Sequence, residues 1–147
     1  MSSEVVFLED WTYDRLVASL VVMNSDTIEL EQNFHLGCRY FNLGEYFEAH
    51  EVWEEMWMES SGARHAFLQC LIQVAVALYH SKRDNFAGAR KLFASCLNYL
   101  ERGRPEATLI DLDQLKNLVL DFEIALQKRS QGIMEELPYF QLPILKD

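Results

Sequence analysis

Residues 64–81 of this chain are apolar almost all the way round a helical wheel, from Ala66 and Phe67 through Leu71, Val74 and Ala77 to Leu78. A helix with no wet face holds its place only when other elements enclose it. Residues 67–79 include Gln69 and Gln73 and fall short of the roughly 20 apolar residues that span a bilayer. The enclosure is therefore expected from other parts of the protein, and no membrane is expected as a partner. At 147 residues the chain is expected to form a single all-helical domain over 1–147. Its 6 glycines and 3 prolines are too few for a loop-rich β domain.

Other helices follow from the same periodicity. A short one after Thr12 would carry Leu16, Leu20 and Met23 inward, with residues 5–8 as an extended arm before it. Asp26 with Glu29 forms a capping box for a helix over 27–42, with Phe34, Gly37, Cys38 and Phe41 inward. Gly44 then punctuates, a helix follows over 45–59, and Ser60-Ser61-Gly62 turns the chain into the enclosed helix. A further helix over 85–101 carries Phe86, Ala89, Leu92, Phe93, Cys96 and Leu100 on one stripe and ends at Gly103 and Pro105. Asp111 and Gln114 cap a helix reaching about 128. Residues 130–147 hold Pro138 and Pro143 and no helical period, yet keep Leu137, Tyr139, Phe140, Leu142, Ile144 and Leu145. That is too much apolar surface for a free tail, so an extended segment lying on the bundle is expected. The fold class is all-α: a compact bundle of about five to six helices built on two antiparallel helical hairpins, with that tail packed against it.

Two stretches match at a forty-residue offset. Gly44-Glu45-Tyr46-Phe47-Glu48-Ala49-His50, with Trp53 beyond, aligns with Asp84-Asn85-Phe86-Ala87-Gly88-Ala89-Arg90 and Phe93. The aromatic, small, aromatic spacing resembles the second helix of a tetratricopeptide unit. Two units make a pair of stacked hairpins rather than a solenoid.

Charge and thiols bound the partners. With 13 basic against 23 acidic residues the net charge is -10, a field that repels phosphate backbones, so no nucleic acid is expected. The first residues, Met1-Ser2-Ser3-Glu4, put no basic region ahead of an apolar stretch. Cys38, Cys70 and Cys96 are odd in number, widely spaced and on apolar faces, as expected of buried thiols in a reducing, cytoplasmic setting.

One polar constellation stands out. On a wheel of 45–59, Leu43, Tyr46, Phe47, Ala49, Trp53, Met56 and Trp57 make a broad apolar face. His50 and Glu54, four residues apart, fall within it, and Glu51 lies at its edge. Gln69, Gln73 and His80 share one stripe of the enclosed helix. Folding the two helices about Ser61 makes partner positions sum to about 123, which sets His50 against Gln73 and Glu54 against Gln69. A buried polar group without a partner costs about 1–3 kcal/mol, so a buried His-Glu-Gln hydrogen-bond network is the first expectation. Two alternatives use the same side chains. His50, Glu54, Glu51 and His80 are ligand types for a divalent metal, although His80 lies about 10 Å along the axis from Gln73. His50, Glu54, Gln69 and Gln73 could instead carry metal-free acid–base catalysis. The acidic series Glu45, Glu48, Glu51, Glu55 and Glu59 is expected to be a solvated face, Trp53, Trp57 and Phe67 to be core, and His35 and His65 to be surface or turn residues.

The chain resembles a known family over residues 30–100. Phe41-Asn42-x-Gly44-x-Tyr46-Phe47-Glu48-Ala49-His50-Glu51-x-Trp53-Glu54-x-x-Trp57 is similar to the signature of domain of unknown function 309. Phe67-Leu68-Gln69-x-Leu71-Ile72-Gln73-x-Ala75-x-Ala77-x-Tyr79-His80 resembles that family's second motif, and Asn85, Gly88-Ala89 and Leu92 its third. The resemblance implies an all-helical fold and no established activity or cofactor, and it assigns Glu48, His50, Glu51, Glu54, Gln69, Gln73, His80 and Asn85 to the family pattern.

Three functions compete. An interaction or scaffold protein, with a protein partner or a second copy, would use the polar network to set the register of its central hairpin and would need no cofactor. A small hydrolase, metal-dependent or acid–base, would open a cleft onto the cluster. A tetratricopeptide-like peptide binder would expose a concave groove.

Overall fold

The computed structural model describes residues 25–145. Five α-helices follow one another: α1 (Ser25–Asn42), α2 (Tyr46–Met58), α3 (Gly62–Lys82), α4 (Phe86–Gly103) and α5 (Leu112–Ser130), with a 3-10 turn at Arg104–Glu106 after α4. Each packs on its neighbour in sequence, α3 most extensively of all, so short connections produce an antiparallel all-α bundle. The expected helix after Thr12 and the arm at 5–8 lie outside the described residues. α1 is already helical at Ser25, so its start lies at or before that residue and Asp26 sits within it.

α3 is enclosed as its composition demands. Phe67, Leu68, Leu71, Val74, Ala75, Ala77 and Leu78 are all buried, and the stripe of Gln69, Gln73, Val76 and His80 is half-buried. No helix among the described residues is long and apolar enough to cross a membrane.

The forty-residue repeat is geometrical as well as sequential. Gly44 (φ +84°) and Asp84 (φ +60°) both take the left-handed conformation that lets a helix end and the chain reverse. Glycine does so without strain, and aspartate is among the few other residues that tolerate it. The Gly44 N–H then donates to Phe41 O (2.9 Å) and the Glu45 N–H to Tyr40 O (2.8 Å). Forty residues on, Asp84 donates to Ser81 O (3.2 Å) and Asn85 to His80 O (2.9 Å). Glu45 and Asn85 start the next helix with nearly equal backbone angles, φ -87°, ψ 69° and φ -91°, ψ 74°. Ala49 and Ala89, and Trp53 and Phe93, are fully buried at matching positions.

The C-terminal segment packs as its apolar content requires. Phe140 sets its ring among those of Phe41, Phe93 and Phe122, at 5.8, 6.4 and 6.0 Å. The Leu142 N–H donates to Asn42 Oδ1 (3.0 Å), Asp111 N–H to Pro143 O (2.9 Å) and Leu145 N–H to Leu109 O (2.7 Å). Ile110 and Ile144 form an isolated antiparallel bridge. Tyr139 and Leu145 stay exposed, so only alternate side chains of this extended segment reach the core.

Cys38, Cys70 and Cys96 are free and buried. Burial pushes the Cys38 thiol well above its ordinary range, and a hydrogen bond with Cys70 together with burial does the same for Cys96. A thiolate-directed reagent such as Ellman's is therefore expected to leave all three unlabelled in the native protein and to label all three on denaturation. Rapid labelling of any of them under native conditions would contradict this packing.

Candidate functional site

The core-facing side of α2 is narrower than the wheel of its apolar residues suggests. It centres on Ala49, Trp53 and Met56, all buried. Phe47 is 45% exposed and Leu43 50%. His50 sits at the margin, and the Glu54 side chain is 49% exposed against 20% for His50. The two meet each other instead of α3: His50 Nε2 lies 3.0 Å from Glu54 Oε2. His50 Nδ1 lies 3.3 Å from the carbonyl of Phe47, so each ring nitrogen faces an acceptor within its own helix.

This corrects the expected buried network. Among the described residues neither His50 nor Glu54 hydrogen-bonds to Gln69 or Gln73, and all but Glu54 of these four are half-buried. The hairpin register is not the cause. The stacked rings of Trp57 and His65 (4.3 Å) and the contact of Phe47 with Tyr79 (5.7 Å) place partner positions close to the expected sum. The cause is rotation: α1 and α3 press on the Ala49/Trp53/Met56 side, which turns the 47/50/54 flank outward. The repeat carries the signal for this, because it aligns His50 with Arg90, Phe47 with Ala87 and Glu54 with Ala94, all three exposed on α4.

The outward flank continues onto α3. Phe47 touches both His50 (5.5 Å) and Tyr79 (5.7 Å), and Tyr79 touches His80 (6.2 Å). His80 Nδ1 lies 3.4 Å from the Asn85 amide nitrogen, and Asn85 caps α4 by accepting from the Gly88 N–H (3.1 Å). Arg83 lies over the Tyr79 ring at 5.5 Å. A band Glu54–His50–Phe47–Tyr79–His80–Asn85 thus crosses the hairpin surface. Periodicity alone did not mark Phe47 and Tyr79 as part of it, since aromatics on a wheel count toward the core.

As a metal set, His50, Glu54, Glu51 and His80 are dispersed. Glu51 is exposed beside the band, His80 is turned to Asn85, and among the described residues no three His, Cys, Asp or Glu side chains converge to hold an ion. As an acid–base couple, His50 and Glu54 are positioned but sit on a solvated face, where charge interactions are weak. Replacing His50 or Glu54 with Gln is accordingly expected to cost under about 1 kcal/mol, read from urea unfolding. A loss of about 3–5 kcal/mol, typical of breaking a buried pair, would restore the buried network.

Two further histidines depart from expectation. His35 is buried at 1% exposure, edge-on to Phe34 at 5.8 Å, because α1 turns it toward the bundle. His65 is half-buried, stacked on Trp57, with Nδ1 3.2 Å from both Trp57 O and Ser60 Oγ. As expected, Trp53 and Phe67 are core, and Glu45, Glu48, Glu51, Glu55 and Glu59 are solvated.

Residues 34–92, from α1 through both repeated turns into α4, match the family model described as Domain of unknown function (DUF309). Over that segment the chain is similar to DUF309 proteins. It is also similar to the uncharacterized protein YpuF of Bacillus subtilis (strain 168), 39% identical over 77 residues. That alignment covers 52% of this chain and 44% of YpuF, so the chain spans less than half the length of this relative. Within the DUF309 segment the motif residues sort by exposure. Glu48, Glu51, Glu54 and Asn85 are exposed, and His50, Gln69, Gln73 and His80 are half-buried; none belongs to the buried core.

Proposed function

We propose that this chain is a helical interaction protein whose partner-facing surface is the α2–α3 band of Phe47, His50, Glu51, Glu54 and Tyr79. One observation carries the reading: Glu48, Glu51 and Glu54 of the family pattern are exposed and His50 lies at the margin of α2, so core packing does not account for them. The repeated turns support a tetratricopeptide-like stacking of two hairpins as the rigid platform. Half-exposed Phe47 supplies the apolar anchor that protein interfaces favour at their centre. Three buried free thiols suit a reducing, cytoplasmic setting, and a net charge of -10 suits a protein partner better than a nucleic acid.

The test is site-specific photo-crosslinking in cells. A benzophenone side chain at position 47 is expected to yield discrete protein adducts, and one at exposed position 98 on α4 is not. The double substitution Glu51→Lys, Glu54→Lys is expected to abolish the adducts while leaving the unfolding midpoint unchanged. Equal adducts from both positions, or none from position 47, would sink the proposal.

A further inference from the structure

A cavity of about 310 Å³ opens between the first half of α1, the start of α3 and the 3-10 turn, lined by none of the residues of the α2–α3 band. Phe34, Phe67, Leu68 and Leu30 line its apolar interior, with the Phe34 and Phe67 rings 5.8 Å apart. An apolar cavity of about 150 Å³ is enough to take a benzene ring, so this one has room for an aromatic side chain and a polar group beside it.

The rim is charged in both senses. Arg64, Glu106 and Glu31 all border it. Arg64 Nη1 and Glu106 Oε1 stand 3.7 Å apart, too far for a hydrogen bond, and both side chains are about two-fifths exposed. Among the described residues the Arg64 guanidinium makes no hydrogen bond, which leaves its planar fork open to a carboxylate. The two rim carboxylates are acceptors suited to an ammonium group. A purely apolar ligand would add no partner to the loose Arg64–Glu106 ion pair or to Glu31, an apolar anion would face Glu31 and Glu106, and an apolar cation would face Arg64.

We propose that the cavity is a binding site for a free α-amino acid with a large apolar side chain, its carboxylate on Arg64, its ammonium on Glu106 and Glu31, and its side chain against the Phe34 and Phe67 rings. The two charges of an α-amino acid sit on one carbon, so they can meet partners a few ångströms apart. This site is independent of the α2–α3 band.

The experiment titrates the full chain with L-phenylalanine, followed by calorimetry and by the aromatic resonances of Phe34 and Phe67. Saturable binding is expected. Removing the ammonium (3-phenylpropionate) or the carboxylate (phenethylamine) should each weaken it about tenfold or more, and glycine should bind far more weakly than either. Arg64→Gln should reduce affinity for L-phenylalanine by a similar factor and should not weaken phenethylamine; the analogue series decides the matter even if that variant is unstable. Absence of saturable binding, or equal affinity for the amino acid and both single-charge analogues, would overturn the proposal.

Discussion

Replacing Trp53 with alanine is expected to destabilise the protein by about 3–5 kcal/mol, the range for truncating a buried aromatic side chain. Trp53 is fully buried, with ring contacts to Phe34 at 6.4 Å and Phe41 at 6.0 Å. Its Nε1–H donates to the Phe34 carbonyl at 3.3 Å, tying α2 to α1. Its fit against α1 is so close that a Cβ at Gly37 would lie 2.1 Å from the indole nitrogen. The neighbours cannot collapse far into the vacated space, because α1 already meets the ring at glycine. Domains of this size are stable by about 5–15 kcal/mol, so the loss would take a large share of the total. Urea unfolding should show a lowered midpoint with the slope unchanged. A cost below about 1.5 kcal/mol would mean that Trp53 does not join α1 to α2 as described.

The second large effect is expected from the smallest change. Gly103→Ala adds one methyl where a Cβ would lie 2.5 Å from Phe67 Cα and 2.6 Å from its nitrogen. Those are backbone atoms of α3, so no side-chain rotation relieves the clash and one helix must move. Overpacking of this kind costs about 1–3 kcal/mol, and here the upper end is expected because α3 and α4 share the most extensive helix contact in the fold. Thermal unfolding and amide exchange along α3 and α4 would both register it. An unchanged melting temperature would show that the two helices approach less closely than described.

Much of the architecture was legible because burial imposes a period. The enclosed α3, the amphipathic α4 and the apolar content of residues 137–145 each required a covering partner, and each has one. Side-chain caps at Asp111 and Asn85 are present, accepting from Gln114 and Gly88 N–H groups at 3.1 Å each. A hydrophobic wheel misplaces the inward side of α2 because Leu43 and Phe47 pull its centre toward a flank that the fold leaves exposed. The repeat held the better guide, since an alignment with Arg90 places position 50 on a wet side.

The order of apolar and polar residues along the chain determined the helices of the described residues, because each must bury its own stripe, and it placed the left-handed reversals at Gly44 and Asp84, where a residue that tolerates positive φ is required. Which flank of α2 meets solvent was settled only when α1 and α3 closed on it: two edges of a stripe are chemically alike until a neighbour covers one. The cavity beside Arg64 belongs wholly to the tertiary level. Its walls include both Leu30 and Leu109, far apart in the sequence, and no local spacing rule brings those positions together.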